Sequence, residues 1–126
     1  MPLADTPGTW NPTIWAGATW DVTLGPITNG TAVVDLTGYD ARLMARESYP
    51  GTVVALSMGT ADGSIVLGGT AGTIRLVQTA TQTAALGSAT GQVQTQYVYD
   101  LELQSGGGEV TRLLQGIITV APESTR

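Results

Sequence analysis

Polar and apolar residues alternate with a period of two along most of the chain. Trp20, Val22 and Leu24 interleave with Thr19, Asp21 and Thr23, the pattern of a strand with one buried face. Ile14 and Trp15 begin this stretch, and Gly17 predicts a bulge or bend. Gly25-Pro26 and Asn29-Gly30 break it, and Asn-Gly predicts a hairpin turn because both residues tolerate positive φ. A returning strand is expected over Thr31–Leu36, closed by Thr37-Gly38. In Tyr39–Ser48 the two faces separate cleanly, with Tyr39, Ala41, Leu43 and Ala45 on one and Asp40, Arg42, Met44 and Arg46 on the other. Pro50-Gly51 turns into a run predicted to be buried, Thr52–Met58. Thr60–Gly63 then turns into Ser64–Leu67, and Gly68-Gly69 leads to Thr73–Val77.

One short helix is expected, over Thr79–Leu86. Thr79 with Gln82 three residues on makes a capping box, and Gly87 supplies the stop. The strand Gln92–Gln104 carries Tyr97, Tyr99, Leu101 and Leu103 on one face and Val98, Asp100 and Glu102 on the other. Ser105–Glu109 closes a hairpin onto Val110–Val120, and Pro122 ends that strand before the tail Glu123–Arg126. Seven to eight short strands separated by Gly, Pro and Asn turns predict an all-β antiparallel sandwich or barrel. Two-faced strands argue against a parallel sheet, whose strands are apolar on both sides. Residues 1–12, with Pro2, Pro7 and Pro12, are expected to form an extended N-terminal arm outside the sandwich, and residues 13–126 a single domain.

Composition narrows the chemistry. The 126 residues include no His, Cys, Lys or Phe, and five arginines face ten acidic residues for a net charge of −5. Without Cys there is no disulfide, thiolate or zinc-finger chemistry. Without His the usual proton shuttle and commonest metal ligand are missing. An acidic chain without Lys is poorly suited to neutralise phosphates, so no nucleic-acid partner is expected. Charged residues make up only 12%, about half the usual share of roughly 25%, which suits a surface that meets neighbours. The longest apolar stretches, Val53–Leu56 and Leu113–Val120, fall well short of the about 20 residues of a membrane span. The first residues lack the pattern of a secretory signal.

Asp100 and Glu102 share a strand face and make a possible acid/base pair, but a solvated face opposite arginines is the expectation. Gly68–Thr73 lacks a complete phosphate-loop fingerprint, and Asp62-Gly63 is followed by no calcium-ligand pattern. The serines have no His or Lys base, and Asn29-Gly30-Thr31 reads as a turn. No catalytic residue, cofactor, metal or small-molecule substrate is therefore expected. Trp20, Tyr97 and Tyr99 are in phase with core positions. Trp10 either plugs its own domain or anchors in a neighbouring subunit, the latter slightly preferred because Trp is enriched at interface centres. Trp15 stays open between core and surface. Arg42 and Arg46 either pair with Asp40 or contact an acidic partner face. Trp10, Trp15, Arg42 and Arg46 are thus the candidate interface residues.

Several stretches together resemble a family of small phage virion proteins, specifically the N-terminal sandwich domain of siphophage upper baseplate proteins. They are Ile14–Trp20; Val34–Arg46 with its Asp-Leu-Thr-Gly turn; Ala71–Leu76 followed by Thr83–Leu86; Tyr99–Leu103; Val110–Gly116; and Val120–Arg126. In order and spacing they cover roughly residues 13–126. The resemblance implies an immunoglobulin-like β-sandwich, a non-enzymatic tail or baseplate adaptor. It also implies a multi-copy or homo-oligomeric assembly with other virion proteins, located in the virion and assembled in the host cytoplasm. No helical linker or receptor-binding segment of the kind those relatives carry is expected after the sandwich, which keeps a capsid decoration or neck protein as the alternative. A carbohydrate- or receptor-binding sandwich is a second alternative.

Overall fold

The strongest alternation in the chain builds its longest hairpin. The structure, a computed structural model, describes residues 8–29, 31–47, 54–86 and 95–121. In chain order the strands are β1 (Gly8–Thr9), β2 (Thr13–Trp15), β3 (Trp20–Leu24), β4 (Thr28–Asn29), β5 (Ala32–Val33), β6 (Asp40–Arg46), β7 (Val54–Gly59), β8 (Ile65–Leu67) and β9 (Ile74–Gln78). The helix α1 (Ala80–Leu86), β10 (Thr95–Gln104) and β11 (Val110–Ala121) follow. A single 3₁₀ turn at Gly69–Ala71 occupies the glycine-rich connection before β9. The eleven strands among the described residues exceed the seven to eight expected, and β1, β4 and β5 are only two residues long. The Pro50-Gly51 turn, Gly30, the helix stop at Gly87 and Pro122 lie outside the described residues.

Six strands form one sheet in the order β1–β11–β10–β6–β7, with β2 also on β11. Three form another, β3–β9–β8, and β4 pairs with β5 alone. Among the described residues the fold is all-β with one α-helix, and one buried cluster draws side chains from both larger sheets. Ala41, Leu43 and Ala45 of β6 enter it, as do Leu56 and Met58 of β7 and Tyr99, Leu101 and Leu103 of β10. Ile65, Ile74, Leu76 and Trp20 meet them from the smaller sheet. These are the period-two positions of each strand, so the alternation places one face of every long strand in this core.

Two features depart from expectation. First, the large sheet is mixed: β1 and β2 both run parallel to β11, whereas β10 is antiparallel to it. Hairpins impose antiparallel pairing, but β2 has no hairpin partner. The chain leaves it through the Ala16–Thr19 turn for β3 in the other sheet, so nothing in the connection forces antiparallel docking. Second, the described part of the expected arm, residues 8–12, lies along β11. Trp10 N–H donates to Gln115 O at 3.1 Å, and Thr119 N–H donates to Pro12 O at 3.0 Å. Ile117 N–H donates to Asn11 Oδ1 at 2.9 Å, and the Tyr99 hydroxyl donates to Trp10 O at 2.6 Å. Proline lacks only the donor, so Pro12 serves at this edge through its carbonyl.

The helix begins as expected. Thr79 N–H donates to Gln82 Oε1 at 2.8 Å, and Gln82 N–H donates to Thr79 Oγ1 at 3.2 Å. Thr83, fully buried, fastens α1 to the turn after β2. Its Oγ1 accepts from Gly17 N–H at 3.0 Å and reaches Ala18 O at 2.7 Å. Thr83→Val is therefore expected to cost about 1–3 kcal/mol, because it leaves the Gly17 donor without its partner; urea unfolding measures this. Gly116 allows the close approach of the N-terminal segment, since a Cβ there stands 2.3 Å from Trp10 O. Gly116→Ala is expected to cost about 1–3 kcal/mol and to speed amide exchange at Ile117 and Thr119 selectively, which hydrogen-exchange NMR reads.

Candidate functional site

Burial of Ala41, Leu43 and Ala45 sends Arg42, Met44 and Arg46 to the outer face of the large sheet. The same rule on β10 buries Tyr99, Leu101 and Leu103 and turns Asp100 and Glu102 outward. The register sets Arg42 opposite Glu102, Glu102 opposite Arg112, and Met44 opposite Asp100. Arg42 Nη2 lies 3.1 Å from Glu102 Oε1, and Arg112 Nη2 lies 3.6 Å from Asp100 Oδ2. Arg42, Met44, Arg46, Asp100, Glu102 and Arg112 line one shallow depression of about 260 Å³. A neighbouring groove of about 250 Å³ lies past Arg42, beside Asp40, Thr60, Gln104 and Val110.

The expected pairing of Asp40 with Arg42 and Arg46 does not form. Arg42 turns to Glu102, and Asp40 accepts a hydrogen bond from Thr60 Oγ1 at 3.2 Å. Positions two apart on a strand are about 6.6 Å apart, whereas directly opposed residues come within about 5 Å. The cross-strand partner therefore wins. Arg46 is placed differently. Its Nη2 reaches Met44 Sδ at 3.7 Å, and its Nε is buried with no hydrogen-bond partner among the described residues.

The four candidate residues occupy separate places. Arg42 and Arg46 meet in the depression. Trp10 stacks on Trp20, with ring centroids 6.3 Å apart and planes 15° from parallel, and packs against the core. Trp15 stands on β2 with 63% of its surface exposed. The structure adds Arg112, Asp100 and Glu102 to the arginine pair. It also shows exposed Val110 and Ile117 on β11. Alternation already separated the faces, but the pairing of Arg112 with Asp100 depends on register, which no residue pattern in β11 announces.

The outer face of the smaller sheet carries one tight ion pair. Arg75 grips Asp21 with Nε at 2.9 Å and Nη2 at 2.6 Å from its two oxygens. That hydrogen bonding holds the Asp21 carboxyl below its ordinary value and raises the Arg75 guanidinium. Hydrogen bonds from Thr37 and Ser64 likewise lower Asp35 and Asp62. Among the described residues, no group of three or more His, Cys, Asp or Glu is placed to hold a metal ion, and no helix is long and apolar enough to cross a membrane. A scan against protein-family models gives no match, and no curated protein matches the chain.

The lowered carboxylates set the pH response. A carboxyl whose folded pKa lies below its unfolded one contributes stability above the unfolded pKa, and that contribution disappears as pH falls through the folded pKa. Asp21, Asp35 and Asp62 all lie below the ordinary 3.8, and the chain has no His. Thermal stability is therefore expected to be level between about pH 6 and 8 and to fall below about pH 4. Melting curves across that range, with carboxyl NMR titration, check both parts.

Proposed function

We propose that the protein is a non-enzymatic structural protein of a bacteriophage virion, a multi-copy tail or baseplate adaptor held by protein–protein contacts. In this reading its domain is an immunoglobulin-like sandwich. The observation that carries the reading is strand order. The set β3–β9–β8 facing β11–β10–β6–β7 corresponds to B–E–D facing G–F–C–C′ of the immunoglobulin arrangement, the fold implied by the resemblance of Val34–Arg46, Tyr99–Leu103 and Val110–Gly116 to virion proteins. A shared fold does not by itself assign a role. The surface supports an assembly role: Trp15 of β2 and Val110 and Ile117 of β11 are exposed. Asp100 and Glu102 each sit against an arginine, an arrangement suited to docking more than to proton transfer.

Capsid decoration or a neck position is the alternative within the same class, since a sandwich serves either. A carbohydrate-binding module needs several exposed coplanar aromatic rings. Trp10 and Trp20 are instead stacked on each other, and Tyr99 is buried, which weighs against it.

Mass spectrometry and immunogold microscopy of purified particles test the reading. The protein is expected in many copies per particle, with label at the tail end. Label over the head selects the decoration alternative. Absence from the particles, with a positive glycan screen, overturns the virion assignment.

A further inference from the structure

Of the four arginines among the described residues, three converge on the outer face of the large sheet. Around that depression stand three guanidinium groups and two carboxylates. Arg42 and Arg112 are matched with Glu102 and Asp100, which leaves one cation over. Arg46 is that cation. Its one polar contact among the described residues is the weak acceptor Met44 Sδ at 3.7 Å, and its Nε is buried without a partner. The residue opposite it on β10 is Val98, which offers no acceptor side chain. Glu47, next in sequence, is exposed and forms no ion pair with it among the described residues.

A guanidinium carries five donors in a planar fork. With only a weak acceptor among the described residues, and in a partly buried place, it is unfavourable until an anion arrives. We propose that this depression binds one carboxylate of a partner protein, an aspartate or glutamate side chain, with Arg46 as the residue that takes it. The charge count selects the ligand. A single monoanion balances the five ionic groups of the depression, whereas a polyanion meets Asp100 and Glu102 directly and a chain of net charge −5 behind them. The planar fork matches a carboxylate through two parallel hydrogen bonds. A depression of about 260 Å³ has room for such a side chain. Assigning the carboxylate to a protein rests on the assembly reading above; the site itself does not.

The test follows the arginine Nε–H resonances of the ¹⁵N-labelled protein, assigned with Arg46→Lys and Arg75→Lys. The probe is glutamate blocked at both ends, Nα-acetyl-glutamate methylamide, with the glutamine analogue and inorganic phosphate as comparisons. Arg75, already held by both oxygens of Asp21 on the other sheet, is the internal reference. The expected result is a saturable Arg46 shift several times that of Arg75 with the glutamate probe, and little with the other two. An Arg46 shift no larger than that of Arg75, or one matched by the glutamine analogue, overturns the site. An equal or larger response to phosphate overturns the choice of a carboxylate. The titration needs no particle, so a protein absent from virions and a face that ignores carboxylates are separate results.

Discussion

Everything in the larger sheet depends on the burial of one strand. Tyr99, Leu101 and Leu103 of β10 lie between β6 and β11 with essentially no exposure. A strand has two faces only, so closing the core with these residues leaves Asp100 and Glu102 no place but the outer surface. The same constraint on β6 lifts Arg42 and Arg46 to meet them. The ionic face is thus the reverse side of the core. A one-residue slip of either strand would carry its charges inward and disperse the cluster.

A second constraint ties the layers together. The Tyr99 hydroxyl, on the central strand, holds the carbonyl of Trp10, and the Trp10 ring stacks on Trp20, the first residue of β3 in the smaller sheet. The N-terminal segment is therefore a connection between sheets as well as an edge of one. Gly116 makes room for it by leaving its Cβ position empty. Thr83 does comparable work on the other side of the turn, fixing α1 to Gly17 and Ala18.

Local chemistry in the chain is enough to read much of this. The face assignments of β6 and β10 follow from alternation, and the capping box of α1 follows from Thr79 and Gln82. Long-range placement was less accessible. Three prolines before residue 13 mark an extended segment, but not whether it stands free or lies beside β11. That depends on Gly116 and Asn11, more than a hundred residues apart. Asp40 lies near Arg42 in sequence, yet its acceptor role goes to Thr60 because β6 and β7 form a hairpin. The outer-face ladder was legible as two carboxylates opposite arginines, while the exceptional state of Arg46 is visible only once its neighbours are placed. The proposed role in a virion draws on resemblance and strand order.

On this account the protein works through the outer face of its large sheet, with the N-terminal segment already spent in holding its own fold together. Hydroxyl-radical footprinting of the free protein against the same protein in assembled particles tests that claim most directly. Met44 lies in the depression beside Arg46, and Trp10 is stacked on Trp20 in the isolated chain. The predicted result is that Met44 oxidation falls sharply on assembly while Trp10 is slow in both states. Unchanged Met44 oxidation, with Trp10 reactive in the free protein and protected only in the particle, would contradict it.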